Sequence, residues 1–425
     1  MRTLIAVAVA LLAAVPAMLV HFGLVSAPVP LTTLFYGMAI VGASFAMAWG
    51  AEAAEHDIPR ALALTVVALL AVFPEYAVDI VFAFKAGQDP AFAPYAAANM
   101  TGSNRLLLGL GWPTIAVIAW IVHGHRSLPL SRDAILPLFF LTVATIYSFA
   151  LPLKANISLV DSVILFVLFG AYAFLAAHED TEEPDLVGPA AVIGALPTNE
   201  RRAAILGLFA FAAGVIGLSA APFADGLVHT GTALGIDEFL LVQWVAPLAS
   251  EAPEFLVAAL LAARGKSSAA LGLMLSAKLN QWTLLVGSLP MAFAVGALTL
   301  PTVNGLEVLG TALPLDSRQV AEVLLTAAQG LFGVSVLASL SLELSEAILL
   351  AVLFLAQFVL GGILRTTMHN TAGADLELYV FSVIYLLLSL VFFFRARRTI
   401  GLLLRRGWSY SARLRRTTSS ATGPN

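Results

Sequence analysis

Four acidic residues stand where the chain is otherwise apolar. Glu75 and Asp79 are four residues apart, and Glu251 and Glu254 are three apart. Each spacing puts both members of a pair on one face of a helix. A charge inside an apolar span is costly, so such groups mark a functional site by default. One acid of each pair also follows a proline, as Pro74-Glu75 and Pro253-Glu254. A proline within a helix removes one backbone donor and frees the carbonyl four residues back, here of Leu70 or Ala249. A free carbonyl beside a carboxylate makes a hard-oxygen site suited to Ca2+ or Na+. One such dipeptide is equally explained by a packing kink with an acid nearby. Two in corresponding places point to an ion site near the middle of interrupted helices.

The next apolar segment in each half carries the remaining candidates. Asn99, Ser103 and Asn104 lie in the run Ala98 to Arg105, and Ser276, Lys278 and Asn280 in the run Gly272 to Gln281. Ser250 immediately precedes the second acid pair. Lys278 lies about ten residues into its span, roughly 15 Å of helix rise. That is too deep to snorkel to the surface, so a carboxylate partner is expected, with Glu251 and Glu254 as candidates. An ammonium held there can act as a built-in cation, and one that can lose its proton suits proton coupling. Gly102 and Gly272 are expected to let helices approach closely. Asp161, nearer a span end, reads as a local hydrogen-bonding residue, and His123-x-His125 as interfacial.

Membrane helices must position these groups. Of 425 residues, 60% are hydrophobic and 11% charged, with a mean hydropathy of +0.93. Soluble domains run at about 45–50% apolar and about 25% charged. A soluble enzyme, a nucleic-acid binder and a disordered chain are thereby disfavoured. With no cysteine, disulfides, iron–sulfur clusters and thiolate zinc sites are excluded, and no cofactor is expected. Twelve apolar segments are read, at 4–25, 31–49, 60–84, 95–122, 133–151, 157–177, 203–221, 237–263, 268–297, 320–340, 344–364 and 376–394. The first reads as an uncleaved span rather than a secretory signal, because a cut after Ala27 would leave Pro28 at the new terminus.

Lys and Arg stay on the cytoplasmic side. With the N-terminus inside, sixteen lie in inside segments and four (Lys85, Lys154, Arg318, Arg365) in outside loops, while Arg105 and Lys278 fall within spans. Both termini are then cytoplasmic. The acidic stretch Glu179 to Asp185 reads as part of a solvated linker. The basic tail from Arg395 to Arg416, with Trp408, reads as an interfacial segment on anionic lipid, followed by an irregular end from Thr417.

Pro-Glu in one helix, a loop, then Gly-Ser-Asn in the next helix, doubled across the chain, resembles the cation/calcium antiporter superfamily, which includes sodium/calcium and calcium/proton exchangers. The first copy runs from Leu70-Ala71-Val72-Phe73-Pro74-Glu75 to Gly102-Ser103-Asn104. The second runs from Ala249-Ser250-Glu251-Ala252-Pro253-Glu254 to Ser276-Ala277-Lys278. The lead-in Gly50-Ala51-Glu52 to Asp57-Ile58-Pro59 also resembles the family's. The resemblance implies that Glu75 and Glu254 are central cation ligands and Asn104 an amide ligand. Ala71 and Val72 stand in place of the family's first hydroxyl pair, Glu251 in place of its second Ser, and Lys278 in place of its second Asn or Asp.

The two copies begin five spans apart and therefore have opposite orientations. The expected fold is an all-α polytopic membrane protein of about twelve helices. Two inverted repeats form a ten-helix exchanger-like core, with one extra helix at each end. Its parts are a first half at 1–177, an acidic linker at 178–202, a second repeat at 203–364, and a last span with basic tail at 365–425. The expected function is secondary cation antiport, moving Ca2+ or Na+ against H+ or Na+ in a bacterial or archaeal plasma membrane. The alternatives are an exchanger fold that has lost exchange and an intramembrane carboxylate enzyme. The second is disfavoured because Gly-x-Gly-Asp and His-Glu-x-x-His are absent.

Overall fold

The computed structural model describes residues 2–54, 57, 73–178, 186–301 and 307–421. Helices dominate, as apolar segments must in lipid, where each backbone polar group has to be satisfied within the chain. In order they are α1 (Arg2–Leu12), α2 (Val15–His21), α3 (Val29–Ala54) and α4 (Phe73–Gln88). Then come α5 (Pro90–His123), α6 (Arg132–Lys154), α7 (Leu159–Ala176) and the short α8 (Pro189–Gly194). The second half holds α9 (Thr198–Leu234), α10 (Glu238–Ser250), α11 (Ala252–Ala263) and α12 (Ser267–Leu298). It closes with α13 (Ser317–Leu337), α14 (Leu344–Thr367) and α15 (Thr371–Ala421). Among the described residues nine helices are long and apolar enough to cross a membrane, and the bent pair α10–α11 makes a tenth crossing. The third expected span is seen as α4, and its part before Phe73, with Leu70, lies outside the described residues.

Three expectations change. The segment 4–25 forms two short helices within the apolar stretch Ile5–His21, at the lower limit of a crossing, because the chain breaks ahead of Pro16. The linker is not wholly solvated. Glu179 to Asp185 lie outside the described residues, but α8 packs Ala190 and Ile193 against Ala10, Trp49 and Ala53. The end beyond Thr417 continues α15 as helix to Ala421.

The inverted symmetry shows in four short strands, β1 (Ser127–Pro129), β2 (Asn156–Ser158), β3 (Ala312–Pro314) and β4 (Ser341–Glu343). β1 pairs with β4 and β2 with β3, both antiparallel. β1 and β2 follow α5 and α6, while β3 and β4 follow α12 and α13, their counterparts in the second repeat. Exchanging the repeats therefore exchanges the two ribbons. The helices after β2 and β4 open on matching capping boxes, Ser158 with Asp161 and Glu343 with Glu346. Asp161 is thus the local hydrogen-bonding residue expected, and it also accepts from the Tyr147 hydroxyl at 2.5 Å.

Candidate functional site

The second acid pair sits at a break rather than in a kinked helix. α10 ends at Ser250, Glu251 caps it, and α11 departs at 55°. Pro253 occupies the first turn of α11, where its missing N–H costs nothing. The expectation of a helix-interior proline is corrected accordingly. Pro74 lies correspondingly at the start of the described part of α4.

Glu75 and Glu251 are both buried. Ser103 on α5 donates to Glu75 Oε1 at 2.5 Å, and Gln281 on α12 donates to Glu251 Oε1 at 2.8 Å. Gln281 also lies within reach of Glu75, and Ser103 within reach of Glu251. The charge of Glu75 acts on both Glu251 and Glu254. Acids from the two repeats thus share one buried cluster. Glu251 Oε2 and Glu254 Oε2 are shielded from solvent and lack hydrogen-bond partners. Asp79, one turn along α4 from Glu75, is fully buried with neither oxygen bonded, beside the equally unbonded amide of Asn99. Orphaned buried polar atoms of this kind call for an explanation such as an ion or water.

Lys278 does not pair with an acid of the second repeat as expected. Its ammonium donates to Asn104, to the backbone oxygen at 2.5 Å and to Oδ1 at 2.9 Å, and lies 5.3 Å over the Trp282 ring. It forms no ion pair with any described carboxylate, though the charges of Glu251 and Glu75 act on it. The side chain instead crosses the interface to α5. The Asn104 side-chain amide nitrogen itself donates to the Met100 carbonyl of its own helix at 3.0 Å.

Asn280 accepts from the Tyr76 hydroxyl at 2.8 Å, joining the repeats a second time. Ser250 is turned back onto the carbonyls of Ala246 and Pro247, and Ser276 is half-buried on α12. Gly102 behaves as expected, since a Cβ there would fall 1.7 Å from the Gln243 carbonyl oxygen of α10. Gly272 does not, because its nearest neighbour would be 3.9 Å away. Reasoning from sequence missed Gln281 and Tyr76. It also missed two π-helical turns, Leu107–Gly111 and Gln281–Leu285. Each begins three residues after a member of the Asn104–Lys278 pair, and such turns recur at functional sites.

Two inverted helical repeats, with acids of both acting on one another beside a broken helix, are an arrangement met in membrane transporters. The chain belongs to the sodium/calcium exchanger protein family, whose model matches residues 29–177 and 204–361. It is 39% identical to the chain in a crystal structure of the H+/Ca2+ exchanger CAX, over 97% of this chain and 99% of that one, with a TM-score of 0.87. The structure of native YfkE shares the fold at 16% identity, covering 84% of this chain and 98% of that one with a TM-score of 0.60. So does the sodium-calcium exchanger NCX_Mj soaked with 2.5 mM Na+ and 0.1 mM Ca2+, at 17% identity over 79% and 99% with a TM-score of 0.51. No curated protein matches the chain. The family and these relatives are transporters, which sets aside the intramembrane enzyme and places the chain in a membrane.

Proposed function

We propose that this protein is a secondary antiporter that exchanges Ca2+ for protons, with Na+ as the other candidate on either side of the exchange. The observation that carries the reading is the cluster of buried Glu75 and Glu251 with half-buried Glu254, contributed by both repeats, in which Glu251 Oε2 and Glu254 Oε2 are shielded and unbonded. The 39% identity with an H+/Ca2+ exchanger over nearly the whole of both chains supports the choice of ions.

Among the described residues no three His, Cys, Asp or Glu side chains are arranged as a resident metal centre. The cation is cargo, and its shell would be completed by Ser103, Gln281 and backbone or water oxygens. Ca2+ accepts six to eight oxygens in flexible geometry, which fits such a mixed set. A carboxylate must be ionised to bind a cation, so cation entry releases protons and protonation expels the cation. Competition for the same oxygens is then the coupling. Lys278 supplies a fixed positive charge beside the cluster, offsetting part of the acid charge when no ion is bound. Asp79 and Asn99 form an adjoining polar pocket one helical turn away. The charge bias puts both termini in the cytoplasm, with the basic tail against anionic lipid.

The test is Ca2+ uptake into proteoliposomes driven by an imposed pH gradient. Acceleration by the gradient, with proton efflux matching Ca2+ entry, supports the reading. Uptake driven by a Na+ gradient and indifferent to pH would reassign the counter-ion.

A further inference from the structure

A second buried polar network lies behind the acid cluster. Arg105 follows Asn104 on α5 but points elsewhere. Its guanidinium donates to Glu322 of α13 and to Gln357 of α14, and stacks 5.0 Å from the Trp244 ring. Gln243 of α10 donates to the same Glu322 oxygen at 3.0 Å and to Thr101 at 3.2 Å. Glu377 of α15 completes the group. It is 5% exposed, and its carboxyl oxygens make no close hydrogen bond, with the Gln357 amide within reach. Gly361 makes room for it, since a Cβ there would stand 3.3 Å from Glu377 Oε2. Between Gln243, Glu322, Gln357, Arg365 and Glu377 is a cavity of about 10 Å³, enough for one water.

The charges do not balance. Arg105 faces two carboxylates, and the other nearby cation, Arg365, is bonded to Asp375. The groups acting on Glu377 are Arg105, Glu322, Gln357 and Arg365 from the packed helices and Tyr385 from its own. One negative charge is left over in a water-poor interior unless Glu377 carries a proton, and an uncompensated buried charge is strongly unfavourable.

We propose that Glu377 is a second proton-binding site, separate from the cation cluster, and that its protonation regulates exchange through Arg105. With Glu377 protonated, Arg105 is committed to Glu322. With Glu377 ionised, both acids compete for the guanidinium. Arg105 is the chain neighbour of Asn104, which holds Lys278, so a shift of α5 there reaches the cation cluster. This regulatory half rests on the antiport reading; the proton site itself does not.

The experiment has two parts. Infrared spectra of the purified full chain, recorded as the pH is varied, should contain a buried carboxylic-acid carbonyl band that Glu377→Gln lacks. In proteoliposomes the pH profile of Ca2+ uptake should move by about one pH unit or more in Glu377→Gln, with the Ca2+ affinity at saturating proton removal unchanged. If the variant folds poorly, Glu377→Asp, which draws the carboxyl back by one methylene, should shift the same band and the same profile. Absence of any acid band assignable to residue 377 overturns the proton site. A band that vanishes while the uptake profile stays put overturns the regulation. Should wild type carry no Ca2+ at all, the infrared result still stands and the antiport reading alone falls.

Discussion

At Lys278 burial was legible in the sequence and the partner was not. An ammonium about ten residues into an apolar span is expected to be buried, and it is. Its partner depends on rotation about the helix axis, which sequence spacing does not supply, and the partner is Asn104 of the other repeat. Hydrogen bonds to charged groups are worth about 1.5–3 kcal/mol. Lys278→Met, which keeps the volume and removes the charge, should lower stability in detergent by about that amount. Most of the loss should be shared with Asn104→Ala in a double-mutant cycle. Independent, additive losses would show that the ammonium is held elsewhere. Lys278→Met should also change the dependence of exchange on pH or membrane potential. Glu75 and Glu254 were legible because each follows a proline in an apolar run. Gln281 was not, because a glutamine beside Asn280 carries no mark distinguishing it from a packing residue.

At the scale of elements, glycine spacing predicts close approach only where a neighbouring backbone is present. Gly102→Ala would drive a Cβ into the Gln243 carbonyl, and neither backbone can give way cheaply. Overpacking of this kind costs about 1–3 kcal/mol, and α5 and α10 both carry site residues, so exchange should fall with stability. Gly272→Ala should be tolerated in both thermal unfolding and uptake, since ordinary contact distance surrounds it. Equal damage from the two substitutions would contradict this packing.

One element contact also fixes a pH dependence. Asp57 accepts from Arg201 at 2.7 Å and from Arg202 at 3.2 Å, both from the start of α9. The Arg201 guanidinium, more than any other group, holds the Asp57 carboxyl down at about 2. A lowered carboxylate stabilises the fold above its unfolded value near 3.9 and loses that contribution as pH falls through the folded value. Between pH 5 and 9, then, Asp57→Asn should leave the shape of the uptake profile unaltered, whatever it does to stability. A changed profile would place Asp57 in the proton coupling. The π-helical turns of α5 and α12 had no visible signature, because a single inserted residue per turn leaves the apolar pattern almost intact.

At the scale of the whole molecule, among the described residues ten of the twelve expected spans appear as helices, one of them a bent pair, long and apolar enough to cross a membrane, the third is described from Phe73 onward, and the first is short. Apolar length alone made these legible. The pairing of β1 with β4 and β2 with β3 was not, since such three-residue ribbons are set by the arrangement of the helices rather than by their own sequence. The ribbons must lie at opposite ends of the bundle if the repeats are inverted. Single cysteines are readily introduced, because the chain has none. Ser127→Cys and Ser341→Cys should label from one face of the membrane and Asn156→Cys from the other. Labelling of all three from one face would contradict the inverted arrangement.

The central claim is that Glu75 and Glu254 together bind the transported cation, and proton-driven Ca2+ uptake tests it most directly. Neutralisation to Gln preserves shape while removing charge from a hard-cation site. In proteoliposomes with an outward proton gradient, the wild type should accumulate Ca2+, while Glu75→Gln and Glu254→Gln, each folded by thermal unfolding, should fall to the level of protein-free vesicles. Uptake at the wild-type rate by both variants would contradict the account.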